Sequence, residues 1–115
     1  MDTIENTLTW SDFMKVEMRV GTILSAEVFE EARNPAYKMT IDFGTIGKRK
    51  TSAQITKLYE VQHLIGRQII AVVNFPAKQI ATIMSECLVL GAVGDDHQVT
   101  LLTPERKVEN GTRVG

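Results

Sequence analysis

Residues 16–28 alternate. Val16, Met18, Val20, Leu24, Ala26 and Val28 occupy even positions with Thr22 in the gap, Glu17, Arg19, Ser25 and Glu27 lie between them, and Ile23 is the exception. Alternation of this length predicts a strand with one buried face. Gly21 in its middle predicts a bend or bulge, which a small barrel needs where a strand curls. Residues 37–43 alternate on odd positions, with Tyr37, Met39, Ile41 and Phe43 inward and Lys38, Thr40 and Asp42 outward. Residues 48–56 predict a third strand. Ala53 and Ile55 lie on one face, and Lys48, Lys50, Ser52, Gln54 and Thr56 on the other.

The period then changes. Leu58, Val61, Leu64 and Ile65 fit a short helix closed by Gly66. Residues 68–75 and 86–93 are near-continuous apolar runs and predict strands buried on both faces. Residues 98–102 predict a short late strand after the turn sequence Gly94-Asp95-Asp96. Ser11 is placed to cap a helical turn carrying Phe13 and Met14. The segment holding Ile80, Ile83 and Met84 reads as loop. Five or six strands, one short helix between the third and fourth, and no βαβ repeat argue against a parallel α/β sheet. They predict an all-β fold, a five-stranded Greek-key barrel of the OB type.

Composition narrows the function. The 115 residues make one domain, 1–115, with a net charge of −1, so charge alone does not make this a bulk polycation. A single cysteine, Cys87, excludes an internal disulfide and a multi-thiolate zinc site, and two histidines leave little for a metal cluster. No apolar run approaches the ~20 residues that span a bilayer. The opening MDTIENTLTW has acids where a signal peptide needs a basic flank and an apolar stretch. These features lead us to expect a cytoplasmic protein with a reduced thiol, no membrane insertion and no cofactor. No phosphate loop, nucleophile elbow or metalloprotease motif is present, Ser52 and Ser85 lack a neighbouring base in sequence, and no enzymatic activity is expected.

The distribution of charge is more informative than its total. Between residues 33 and 57 stand Arg33, Lys38, Lys48, Arg49, Lys50 and Lys57 against the single acid Asp42. Strand alternation puts Lys48 and Lys50 beside Ser52 and Gln54. Two readings fit: a face for a phosphate backbone, contacted by Lys48, Arg49, Lys50, Ser52, Gln54 and Lys57, or a solvated edge guarded by lysines. The chain has seven aromatics, with only Tyr37 and Tyr59 near this stretch as stacking platforms, so RNA would be read by shape and phosphate. An apolar surplus is the other feature. Phe75, Pro76, Ile80, Ile83 and Met84, and Leu8, Trp10, Phe13 and Met14, exceed what a small barrel can enclose. They predict a self-contact or a groove for extended apolar polypeptide, with Met84 as an adaptable contact, against ordinary loop packing over the barrel ends.

The order of motifs is specific. Asp12-Phe13-Met14-Lys15-Val16-Glu17-Met18-Arg19-Val20-Gly21-Thr22-Ile23 resembles the opening of the tRNA-binding OB-domain superfamily. Arg33-Asn34-Pro35-Ala36-Tyr37-Lys38, Thr51-Ser52-Ala53-Gln54-Ile55-Thr56-Lys57, Ala71-Val72-Val73-Asn74-Phe75-Pro76 and Ser85-Glu86-Cys87-Leu88-Val89-Leu90-Gly91 resemble the CsaA family of export-related chaperones. That resemblance implies a homodimer that holds unfolded or precursor polypeptides and cooperates with the secretion motor SecA. It also implies a peptide pocket near Phe75 and Pro76, and a dimer seam carried by Trp10, Phe13 and Met14 with Pro104, Val108 and Val114. The chain has Arg33-Asn34-Pro35-Ala36-Tyr37-Lys38 where tRNA-binding relatives carry a His-Pro-Asn-Ala-Asp-Lys-like stretch. It has Ser85-Glu86-Cys87-Leu88 where they carry Ser-x-Gly-Met. Both departures weaken the transfer of tRNA affinity, which stays as the alternative function.

Overall fold

A computed structural model describes residues 7–115; the acidic residues 1–6, on which the reading of the opening segment partly rests, lie outside the described residues. The architecture is all-β. The central strand β1 (Met18–Val28) is long enough to serve two neighbours. Its first half pairs antiparallel with β4 (Gln68–Val72), and its second half with β2 (Tyr37–Asp42). Next to β2 runs β3 (Lys48–Ala53), and next to β4 the two-residue β7 (Leu88–Val89), giving the order β3-β2-β1-β4-β7. The sheet then rolls until its edges meet. Glu86 N–H donates to the Lys50 carbonyl at 2.8 Å, and the Thr51 hydroxyl to the Cys87 carbonyl at 2.8 Å. The result is a nearly closed OB-type barrel. Its core holds Ile23, Ile41, Phe43, Leu64 and Ile69, all fully buried, and the short helix α2 (Val61–Leu64) caps one end through Leu64.

Two hairpins flank the barrel, β5 (Lys78–Ile80) with β6 (Ile83–Ser85), and β8 (Gly91–Val93) with β9 (Val99–Leu101). At the chain ends, α1 (Trp10–Lys15) precedes β1, and β10 (Arg113–Val114) pairs with β1 at Met18 and Arg19.

Several expectations change. The even positions of residues 16–28 do not all face inward. Ile23 is fully buried while Val16, Leu24 and Val28 are exposed. A register shift between Ile23 and Ser25 makes Leu24 the extra residue of a bulge, so the inward set passes from Gly21 and Ile23 to Ala26. Val20 is buried as well, because the C-terminal segment covers it and exchanges bonds with its backbone from Gly111 and Thr112. The 86–93 run is not one doubly buried strand. Only Cys87 is buried in it, and Leu88 and Val93 are exposed, since the chain leaves β4 after Leu90 to form the β8–β9 hairpin. The helix cap is Thr9, whose hydroxyl accepts from Asp12 N–H at 3.0 Å, and not Ser11. The segment read as loop is the β5–β6 hairpin. Its turn, Ala81-Thr82, lacks the Gly or Asn that normally signals one, and Ala81 takes φ +48°.

Gly21 permits the tight curl of β1: a Cβ there would lie 2.7 Å from Ile41 Cγ2 and from the Phe43 ring. Gly21→Ala is expected to lower unfolding free energy by about 1–3 kcal/mol through overpacking. Urea denaturation within about 0.5 kcal/mol of wild type, a neutral surface value, would show that the core yields there.

Candidate binding surfaces

The seam between β3 and the β6–β7 segment positions two surfaces side by side. Along β3, Lys48 and Lys50 are exposed and Thr51 is buried. The Thr51 side chain is almost wholly buried, with 1% of the residue exposed. Lys50 is fixed at its backbone, where its N–H donates to Glu86 Oε1 at 2.9 Å, leaving its ammonium free of the closure. Across the register, Thr40 faces Lys50 and Lys38 faces Ser52. Lys38, Thr40 and Lys50 line a cavity of about 230 Å³ with Glu27 and Ile83. Lys38 is half-committed, 3.5 Å from Glu27 Oε1 and 5.5 Å from the Phe29 ring centroid.

The six residues assigned to phosphate contact do not form one face. Lys48, Lys50 and Ser52 share a side of β3, and Gln54 lies exposed just past its end. Arg49 is partly buried and reaches the Val73 carbonyl at 3.5 Å. Lys57 is held elsewhere, by the Asp96 carboxylate at 3.1 Å and the Asp96 carbonyl at 2.7 Å. Neither tyrosine offers a free ring for stacking. Tyr37 is buried and donates to the Tyr59 carbonyl at 2.7 Å, while the Tyr59 hydroxyl accepts from Leu101 N–H at 3.0 Å.

Ser52 also borders the second surface, an apolar groove of about 320 Å³ under the β5–β6 hairpin. Phe75 and Pro76, from the loop after β4, meet Ile80 and Leu88 there, with Lys78 and Ser85 as polar members. Phe75 is 56% and Leu88 49% exposed, so the groove is unfilled by the chain itself. The structure brings Phe75, Pro76 and Ile80 together but leaves Met84 out. Met84 pairs with Gln79, one residue out of phase with the groove-lining Lys78, Ile80 and Ser85, and turns to the other face of the hairpin. Leu88 and Lys78 were missed from sequence. Leu88 sits in a run that looks uniformly apolar, and nothing in that run marks which member is uncovered.

A third surface lies at the chain ends. No residue of α1 is buried, and Trp10 is 83% exposed with Leu8 and Met14 also open. Phe13, Pro104, Val108 and Val114 are half-buried. The segment is nevertheless fixed. The Asn74 side chain donates to the Lys15 carbonyl at 2.6 Å and accepts from Glu17 N–H at 3.0 Å, and Arg113 donates to the Met14 carbonyl. Arg19 joins β1 to the C-terminal segment through the Gly111 carbonyl at 3.0 Å, and its bond to Glu17 holds that carboxyl below its usual range.

The Ser85 hydroxyl lies 3.3 Å from the Thr51 hydroxyl and 3.5 Å from the Cys87 carbonyl. Among the described residues no group of three or more His, Cys, Asp and Glu could hold a metal ion, and no helix is long and apolar enough to cross a membrane.

Residues 18–113 match the family described as "Putative tRNA binding domain". The chaperone CsaA of Bacillus anthracis str. Ames is 48% identical, with a TM-score of 0.91 over 95% of this chain and 99% of that one. The CsaA chaperone protein of Picrophilus torridus is 50% identical, with a TM-score of 0.88 over 95% and 100%. The methionine–tRNA ligase of Parabacteroides distasonis is 31% identical over 96% of this chain, which spans only 16% of that ligase.

Burial pushes the Cys87 thiol up to about 11, against the lowering effect of its hydrogen bond with Thr51. The folded state therefore retains the proton, and this contribution to stability is lost as pH rises from about 9 through about 11. Native protein at pH 8 is expected to resist iodoacetamide at Cys87 and to label when unfolded. The stability difference between wild type and Cys87→Ala is expected to shrink across that pH window. Rapid stoichiometric labelling of the native protein would contradict the buried thiol.

Proposed function

The chain belongs to the tRNA-binding domain family, in its CsaA-like branch, and from that premise we propose that it is a chaperone-type binding protein. It acts in the cytoplasm as a homodimer and holds extended apolar segments of unfolded or precursor polypeptides before export. The observation that carries this reading is the groove lined by half-exposed Phe75 and Leu88 with Pro76 and Ile80, an apolar depression beside a core that is already complete. Burial of a large apolar side chain in such a site is worth roughly 1.5–3 kcal/mol. One groove therefore binds weakly, and two grooves in a dimer raise avidity for a long chain without any new contact. The uncovered helix α1, with Trp10, Phe13 and Met14, together with the segment bearing Pro104, Val108 and Val114, supports pairing of two copies. Release needs no nucleotide: weak affinity and transfer to a partner such as the motor SecA suffice.

A second reading, binding of a folded tRNA, is favoured by the family match and by the basic side of β3. Lys48 and Lys50 contact phosphates there, Ser52 and Gln54 add hydrogen bonds, and Arg49 and Lys57 join only by breaking their present contacts. The two activities occupy adjoining surfaces that meet at Ser52.

The protein at a few-fold molar excess is expected to suppress aggregation of a chemically unfolded client. Phe75→Ser with Leu88→Ser is expected to abolish suppression while the protein stays folded, because both side chains are about half-exposed and outside the fully buried core. Equal suppression by the variant removes the groove from the client site. Lys48→Ala with Lys50→Ala is expected to leave suppression intact, to weaken tRNA binding and to flatten its log–log salt slope by about 2. An unchanged slope takes these lysines out of any RNA contact.

A further inference from the structure

A third concavity, of about 380 Å³, lies between the start of β4 and the strap 103–107 that leads to the C-terminus. Its floor is rigid. Gly66 and Arg67 are tied to β1 by two backbone bonds with Ile23, 2.8 and 2.9 Å. The Gln68 amide is used up on Val108 and Asn110, and the Thr22 hydroxyl on Asn110. Three cations line it, Arg67, Arg106 and Lys107, against one carboxylate, Glu105, which is engaged by Arg106 at 2.8 Å. Arg67 and Lys107 have no acid partner among the described residues. Arg67 is instead steadied against the Tyr59 ring, 5.4 Å from its centroid, and Tyr59 is pinned by its hydroxyl at Leu101. The backbone N–H groups of Thr103, Glu105, Arg106 and Lys107 likewise find no acceptor among the described residues.

We propose that this concavity is a phosphate-binding site, with Arg67 and Lys107 supplying charge and the Thr103 hydroxyl and the strap's N–H groups supplying donors. Two unpaired cations beside several idle backbone donors suit a tetrahedral oxyanion, which takes several short charge-assisted bonds at once. The site is independent of the β3 lysines, so the failure of either leaves the other standing. The phosphate belongs either to an RNA backbone or to a free polyphosphate.

The test uses the isotopically labelled full chain in its native assembly, because Pro104 of the proposed seam also borders the site. Titration with inorganic pyrophosphate is expected to shift the amides of Thr103, Glu105, Arg106 and Lys107 saturably. In Arg67→Gln/Lys107→Gln the apparent affinity read at these amides falls at least tenfold, and it falls by less in Lys107→Gln alone. In a parallel tRNA titration, a salt slope lower by about 2 in the double glutamine variant assigns the phosphate to RNA. An unchanged slope together with the amide shifts assigns it to a free polyphosphate. Amides that do not move with pyrophosphate, or that move equally in the double variant, overturn the site.

Discussion

A single buried hydroxyl stands at the join of the barrel. Thr51 lies on β3 and donates to the carbonyl of Cys87, in the segment where the rolled sheet returns to its own edge. An unpaired carbonyl at that depth would cost roughly 1–3 kcal/mol, so this bond and the neighbouring Glu86–Lys50 backbone bond both stabilise the closure and fix its register. Register matters more than energy here. With Thr51 turned inward, strand alternation sends Lys50 and Ser52 outward. Cys87 turned inward leaves Leu88 outward beside Phe75. A one-residue slip at the join would exchange the basic side for the apolar one.

The closure thus sets a basic surface and an apolar surface next to each other. Charge dominates on the β3 side, where Lys48 and Lys50 keep their ammonium groups out of the closing bonds. In the groove lined by Phe75, Pro76, Ile80 and Leu88 the proposed polypeptide contact is one of shape and dehydration. The two differ in their response to salt. Exposed charges are screened within about 8 Å at physiological ionic strength, whereas burial of apolar area is nearly indifferent to modest salt. The proposed chaperone-type role and the second, RNA-binding reading thus draw on different surfaces of one small barrel; two similar structures are CsaA chaperones, and the matching family is described as a putative tRNA binding domain.

How far the sequence could be read follows from which signals are local. The strict alternation of Tyr37, Met39 and Ile41 matches the buried face of β2 residue for residue, and Phe43 just past its end is buried too, because a strand paired on both sides has no freedom to deviate. The long β1 was legible as a strand but not in its phase. A bulge at Leu24 is set by the curl of the whole barrel, and only Gly21 hinted at it. The β5–β6 hairpin was hidden because tertiary support from β3 holds an Ala81 turn that no local rule favours. At the binding surfaces, the outward lysines of β3 could be read from alternation. The capture of Lys57 by Asp96 could not, since 39 residues separate them. The exclusion of Met84 from the groove depended on the phase of the unforeseen hairpin, and the exposure of Leu88 on where β7 ends.

In the proposed reading the two adjoining surfaces bind by different physics. The most direct measurement is a side-by-side titration of the protein with tRNA and with an unfolded precursor polypeptide at roughly 50 and 200 mM salt. The expected result is that tRNA affinity falls about tenfold or more while polypeptide affinity holds. Parallel weakening of both complexes would contradict it, because a single charged surface would then account for all of the binding.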